Sequence, residues 1–391
     1  MPGDRPRHDT AAGTGRPATA APATGTVDRV VAEFRIHRRG FVDPDGRLLV
    51  PRDTLPIDDD TLLALYRQMV FLRALDEKAI ALQRTGRMGT YASCLGQEAV
   101  GVATGLAMRE DDVFVPYYRD QGAQIARGVA PEETLLYWGG DERGNAFRDP
   151  RVREDLPNCV PIATQYTHAA GVAAAFRIRG EARCCVVSGG DGSTSRGEFH
   201  EALNLAGAWH LPLVFVINNN RWAISVPLAK QTAAATLAQK AVAAGIPGLQ
   251  VDGNDALAVY LAVHDAAARA RAGKGAMLIE AVTWRLGNHT TADDASRYRN
   301  EADVQAAWQL EPVARLRRLL ATLGLWNDAD EAAWNTQCRH DVEATVARYL
   351  AFAPQAPTDL LDHHYAHWPE TLAAQRNELL ARVARHAGGR Q

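Results

Sequence analysis

Between Asp58 and Arg84 the apolar residues Leu62, Leu65, Tyr66, Met69, Leu72 and Leu75 recur at helical intervals behind an acidic start, Asp58 to Asp60. That spacing predicts an amphipathic helix with one buried stripe and with carboxylates at its electropositive end. A second helix is expected from Gly96 to Met108, where Gly101 and Gly105 share a face and admit a neighbouring backbone at close range. Gln165 to Arg179, dominated by Ala169, Ala170, Gly171, Ala173, Ala174 and Ala175, reads as a buried helix built from small side chains.

From Arg183 the period changes. A short apolar run from Cys184 to Val187 is followed by a helical pattern from Glu198 to Trp209 and a second apolar run from Leu213 to Ile217, which together predict a strand, a crossover helix and a strand. Gln250 to Val251 adds a short strand, the alanine-rich stretch after Asp255 a helix, and Met277 to Trp284 another buried strand. Strands alternating with helices predict an α/β fold in which a parallel sheet is flanked by helices on both faces. After Tyr298 only helical patterns remain, over Val304 to Leu323, Ala329 to Tyr349 and Thr371 to His386, with a break at Pro354 and Pro357. The chain therefore divides into a disordered tail over residues 1–27, an N-terminal arm over 28–60, an α/β domain over 61–300 and a helical C-terminal extension over 301–391.

Composition narrows the function classes. With 391 residues, 47% of them hydrophobic, a large core is available. The 43 lysines and arginines nearly balance the 46 aspartates and glutamates, so no summed field favours nucleic acid or an anionic membrane, and any phosphate binding must be local. Five cysteines, Cys94, Cys159, Cys184, Cys185 and Cys338, never form a CxxC pair, which argues against a disulfide framework and a zinc site. No run approaches the roughly 18 apolar residues of a membrane helix, and no signal-peptide block is seen at the N-terminus, so a cytoplasmic protein is expected.

The chemistry concentrates where strands end. Ser188-Gly189-Gly190-Asp191-Gly192-Ser193-Thr194-Ser195 follows the first apolar run, and Asn218-Asn219-Asn220-Arg221-Trp222 follows the second. In an open parallel sheet, ligands bind beyond the carboxyl ends of the strands. Gly190 and Gly192 would let backbone approach a diphosphate, and Asp191 with Asn220 would offer the hard oxygens that Mg²⁺ prefers.

A Gly-Asp-Gly followed about 26 residues later by Asn-Asn resembles the thiamine-diphosphate fingerprint. More specifically, GDGSTSRGEFHEALNLAGAWHLPLVFVINNNRWAIS is similar to the α subunits of the pyruvate and branched-chain 2-oxo acid dehydrogenases, and the likeness runs from about Phe34 through the C-terminal helices. The resemblance implies the thiamine-diphosphate-binding fold. It further implies Asp191 and Asn220 as side-chain ligands of Mg²⁺, with the Trp222 carbonyl as a third, and Gly190, Gly192 and Ser193 along the diphosphate. Tyr118 would sit near the substrate, Arg119 against the diphosphate, and the Ile162 backbone against the aminopyrimidine ring. His289, in the loop after the last strand, would contact the cofactor and assist acyl transfer to a lipoyl group; an imidazole titrating near neutrality would suit proton transfer, with Asp293 and Asp294 ordering the loop.

The activity so implied is oxidative decarboxylation of a 2-oxo acid, with pyruvate favoured and a branched-chain 2-oxo acid as the alternative. The partners implied are a β subunit in an α₂β₂ heterotetramer, which would supply the glutamate this chain lacks, and a dihydrolipoyl acyltransferase core carrying lipoyl domains. Asn288 stands where branched-chain enzymes often have a histidine, which favours pyruvate. Cys159 and Val160 replace serines that help hold a monovalent cation in animal homologues, so the resemblance does not extend to a structural K⁺ near Thr164 and Gln165. A non-catalytic scaffold paralogue is the reading from a different class, opposed by the intact Asp191, Asn220, Arg119 and His289. The dinucleotide pattern lacks its third glycine, no GxxxxGK[ST] occurs, and His200-Glu201-Ala202-Leu203-Asn204 lacks the second histidine of a metalloprotease helix.

Overall fold

Six parallel strands form the sheet: β1 (His37–Arg39), β2 (Val113–Val115), β3 (Cys185–Gly190), β4 (Leu213–Asn219), β7 (Gly248–Asp252) and β8 (Met277–Val282), in the order β1-β7-β8-β4-β3-β2. Between β4 and β7, β5 (Trp222–Ala223) and β6 (Val226–Pro227) make a separate antiparallel hairpin. The computed structural model describes residues 28–362 and 364–388, so the expected disordered tail over 1–27 lies outside the described residues. Residues 28–35 belong to an N-terminal unit of their own and are exposed without regular structure over 28–34; everything below concerns the unit that starts at Ile36.

The central strands are buried on both faces, which is why they read as continuous apolar runs. Successive side chains alternate. Val186, Val214, Val216 and Ile279 pack with α1 (Asp59–Arg84), α2 (Glu98–Ala107) and α9 (Ala256–Arg271), whereas Val187, Phe215 and Ile217 pack with α5 (Thr164–Arg179) and α6 (Gly197–Ala208). Asp58 caps α1 by accepting from the Thr61 N–H at 2.7 Å, and Asp255 caps α9 while also accepting from the N–H groups of Phe41 and Val42. This ties the segment read as an arm to the sheet, where His37 to Arg39 form an edge strand beside β7.

The expected close approach at α2 is present. A Cβ on Gly105 would lie 2.5 Å from the Ala123 carbonyl oxygen of α3 (Gln121–Arg127). Helix α5 differs from its reading: Ala169, Ala170, Ala173 and Phe176 are buried, but Thr167, His168, Gly171 and Ile178 face outward, so only one face meets the sheet. The helix expected over Val304 to Leu323 is two helices, α10 (Glu301–Trp308) and α11 (Pro312–Thr322). Pro312 cannot continue a helix, and Glu311 starts the second by accepting from the N–H groups of Val313 and Ala314. Helices α11 and α12 (Asp328–Ala351) pack on α1, and Arg73 of α1 joins Glu98 and Glu311 at 2.7 Å each. No strand occurs among the described residues after Val282, and no helix among them is long and apolar enough to cross a membrane.

Candidate active site

Register brings the chemistry to one rim. Gly190 pairs with Asn218, and Asn219 pairs with Val282, so β3, β4 and β8 end level with one another. Asp191 therefore leaves the tip of β3, Asn220 the tip of β4, the loop carrying His289 the tip of β8, and Tyr117 to Arg119 follow β2 on the other flank. All ten candidates, Tyr118, Arg119, Ile162, Gly190, Asp191, Gly192, Ser193, Asn220, Trp222 and His289, line one cavity of about 820 Å³. The first apolar run is longer than its reading: β3 continues through Ser188 and Gly189 to Gly190, so the functional turn begins at Asp191.

Asp191 is buried, and its carboxyl is pushed up to about 6 by that burial, partly offset by a hydrogen bond from Gln231 Nε2 at 2.7 Å. Asn220 donates from Nδ2 to Gln97 Oε1 at 3.0 Å, and its Oδ1 accepts from the Trp222 N–H at 3.2 Å. The set of one carboxylate, one amide oxygen and the Trp222 carbonyl fits a hard divalent cation. No cluster of three His, Cys, Asp or Glu side chains occurs among the described residues, so a site built from those types alone is absent there.

The two glycines differ in what surrounds them. A Cβ on Gly192 would lie 2.6 Å from the Ala223 Cβ of the β5–β6 hairpin, whereas one on Gly190 would meet only Tyr117, at 3.9 Å. Gly192 is thus needed for the hairpin to close over the turn, and Gly190 leaves open space beside the cavity. The Ser193 hydroxyl is already engaged with the Gly190 carbonyl at 2.6 Å and the Tyr166 hydroxyl at 2.7 Å.

Across the cavity, Arg119 is buried and forms no direct ion pair among the described residues, with Asp76 and Asp120 acting on it at longer range. It donates to the Ser93 carbonyl at 2.6 Å, to the His289 carbonyl at 2.8 Å, and lies 3.2 Å from His289 Nδ1. Arg285, fully buried, reaches the same Nδ1 at 3.3 Å and donates to the carbonyls of Trp222 and Ile224 and to the Tyr298 hydroxyl. Burial first, then the two guanidinium groups, drive the His289 imidazolium down to about 3. Near-neutral titration is therefore overturned in the chain as folded: the ring is neutral, Nδ1 faces donors, and Nε2 carries the proton. Asp293 orders the loop as expected, accepting from the His289 N–H at 2.7 Å and from the Tyr298 hydroxyl at 2.5 Å. Asp294 instead starts a short turn through the Ser296 N–H.

Several contributors were invisible in the motifs. Asp76, buried in α1, accepts from Tyr91, Ser93 and the Cys94 N–H, fixing the carbonyl that receives Arg119. Gln97 and Gln231 hold the two candidate ligands, and Lys240 bonds Thr194 beside the turn. Arg285 had a usable signal, because it lies three residues past a buried strand that ends at the same rim, and that strand stops two residues short of its expected end at Trp284. Asn288 lies outside the cavity lining and accepts from the Ala295 N–H at 3.1 Å, so it braces the loop. Three buried polar atoms at the site lack a protein partner: Gln165 Oε1, Trp222 Nε1 and Gln231 Oε1. They suit a polar ligand with donors and acceptors of its own.

The family model described as dehydrogenase E1 component matches residues 66–357. The pyruvate dehydrogenase E1 component subunit alpha of Staphylococcus aureus is 42% identical over 338 residues, covering 86% of this chain and 90% of the relative. The 3-methyl-2-oxobutanoate dehydrogenase subunit alpha of Mycobacterium tuberculosis is 41% identical over 347 residues, covering 88% and 94%. Family match, near-full-length similarity and the convergence of four strand tips on one cavity agree, and the chain belongs to the dehydrogenase E1 component family.

Proposed function

We propose that this chain is the α subunit of a pyruvate dehydrogenase (acetyl-transferring) heterotetramer that acts with thiamine diphosphate and Mg²⁺. The observation that carries this reading is the meeting of Asp191, Asn220, Trp222, Arg119 and His289 in one cavity, although they lie far apart in the chain. When bound, thiamine diphosphate supplies the nucleophilic carbon and the electron sink for decarboxylation. Asp191, Asn220 and the Trp222 carbonyl would hold the Mg²⁺, while Arg119 and the backbone of Gly190 to Ser193 bind the diphosphate. The Ile162 backbone would face the pyrimidine, and Tyr118 would border the substrate. His289, neutral and protonated at Nε2, would orient the substrate and donate to the lipoyl sulfur during acyl transfer.

Among the described residues, Asp191 is the only carboxylate lining the cavity. Since it is given to the cation, the carboxylate needed at the pyrimidine nitrogen would come from a β subunit, in an α₂β₂ assembly docked on a dihydrolipoyl acyltransferase core with lipoyl domains. The cavity rim suits such a partner: Val160, Ile162 and Ile224 are 53%, 45% and 56% exposed. All five cysteines are free, in keeping with a reducing cytoplasm.

A branched-chain 2-oxo acid is the second reading, favoured by the 41% identity of the Mycobacterium relative. Decarboxylation assays on the chain assembled with its β subunit, using pyruvate, 2-oxobutyrate and 3-methyl-2-oxobutanoate, decide between them. The highest kcat/KM is expected with pyruvate, and either chain alone should be inactive. Preference for 3-methyl-2-oxobutanoate would establish the second reading, and silence with every substrate would point to a scaffold. Asp191→Ala should abolish Mg²⁺-dependent retention of thiamine diphosphate; retention equal to the unsubstituted complex would remove the metal assignment.

A further inference from the structure

The two side-chain ligands assigned above are each held by a glutamine that no motif of the chain accounts for. An asparagine can turn either its oxygen or its nitrogen toward a cation, and only the oxygen binds one. At Asn220 the choice is fixed from outside: Nδ2 donates to Gln97 Oε1 at 3.0 Å, while Gln97 is itself oriented because its Nε2 donates to the Tyr117 hydroxyl at 3.2 Å. Asn220 Oδ1 accepts the Trp222 N–H at 3.2 Å and keeps a lone pair with which to act as the ligand atom. At Asp191 the ambiguity is between one-oxygen and two-oxygen binding. Gln231 Nε2 donates to Oδ2 at 2.7 Å and is anchored by the Val226 carbonyl at 3.0 Å, which takes up one lone pair of that oxygen and favours Oδ1 as the ligand. Gln231 Oε1 is buried without a protein partner. Since Mg²⁺ keeps part of its hydration shell, that oxygen offers an acceptor for a metal-bound water.

We infer that Gln97 and Gln231 are positioning residues of the metal site, Gln97 selecting the oxygen of Asn220 and Gln231 favouring one-oxygen coordination by Asp191 and anchoring a water of the bound Mg²⁺. The inference rests on the metal assignment of the proposed function. Both supports are neutral, so the affinity of the site depends on their hydrogen-bond geometry and not on added charge. They reach the site from separate places, Gln97 from the residue before α2 and Gln231 from the last turn of α7 (Leu228–Gln231).

The test is an Mg²⁺ titration of the α/β complex at saturating thiamine diphosphate, followed by calorimetry and tryptophan fluorescence, with no turnover measured. Gln231→Leu and Gln97→Leu should each weaken Mg²⁺ binding about 10- to 100-fold, the usual effect of losing an outer support of a metal ligand. Gln97→Glu should recover most of the affinity, because its carboxylate still accepts from Asn220 Nδ2. Gln231 is only half-buried, so its variant keeps the test sound if Gln97→Leu fails to fold. Mg²⁺ affinity within about twofold of the unsubstituted complex in Gln231→Leu overturns the inference for that residue, and equal loss in Gln97→Leu and Gln97→Glu overturns it for the other. Asp191→Ala separates the two levels: if it binds Mg²⁺ unchanged, the metal assignment itself falls, whereas loss there with normal Gln231→Leu removes only the positioning role.

Discussion

On one side of the cavity Asp191 and Asn220 are held by neutral amides, at 2.7 Å and 3.0 Å; on the other, His289 lies between two guanidinium groups, at 3.2 Å and 3.3 Å. The neutral supports set direction without changing charge, so the carboxylate keeps its full attraction for a cation. The cationic supports form no direct ion pair among the described residues, since Asp76, Asp120 and Asp293 act on them only at longer range, and so they keep an attraction for an anion. Under the proposed function, a divalent cation carrying a diphosphate would answer both sides together.

The largest effect should come from breaking the cationic side. Arg119→Met removes a buried, charge-assisted donor from the Ser93 and His289 carbonyls and should weaken thiamine diphosphate binding about 10- to 100-fold by calorimetry. Arg119→Lys should recover little, since an ammonium cannot span both carbonyls. On the neutral side, Gly192→Ala places a methyl 2.6 Å from the Ala223 Cβ. Displacing that hairpin should cost about 1–3 kcal/mol in a thermal or denaturant melt, the usual range for overpacking.

The charge contrast itself can be sharpened by titration. His289, held down to about 3, should stay neutral from pH 8 to well below its ordinary value of 6.5 in histidine-selective NMR. A base whose folded pKa is depressed binds its proton more readily when unfolded, so the folded loop loses stability as pH falls below about 6.5 toward 3. Saturation with thiamine diphosphate should raise that pKa, because the diphosphate offsets Arg119; a fall on binding would reject the cationic description. The smallest effect is expected from Tyr298→Phe, which loses the hydroxyl linking Arg285 to Asp293. About 1 kcal/mol less protection of residues 287–299 in hydrogen exchange is the outcome to look for.

The legible parts of this chain were those whose pattern is local. The apolar runs at β3, β4 and β8 and the stripe of α1 reflect burial that each segment shows in its own period, and the Asp191 and Asn220 turns follow them directly. Strands β1 and β2 are three residues each and too short to show a period, so half of the rim, the Tyr118 and Arg119 flank, was placed by resemblance and not by strand position. The neutral state of His289 was also out of reach. It arises first from burial and then from two arginines, one four residues earlier and one 170 residues away, which surround the ring only when the sheet forms. Gln97 and Gln231 were missed for the same reason: a glutamine outside a turn has no local signature.

Arg285 spans the boundary between the two sides, with one terminal nitrogen near both the Trp222 carbonyl and His289 Nδ1. A carbonyl drawn toward a cation becomes a poorer acceptor for that nitrogen, leaving it freer to engage the imidazole. Under the proposed function, metal loading would then reach the histidine ring with no moving domain, through the two hydrogens of that one nitrogen, and substitutions at Arg285 and His289 should not behave as independent events.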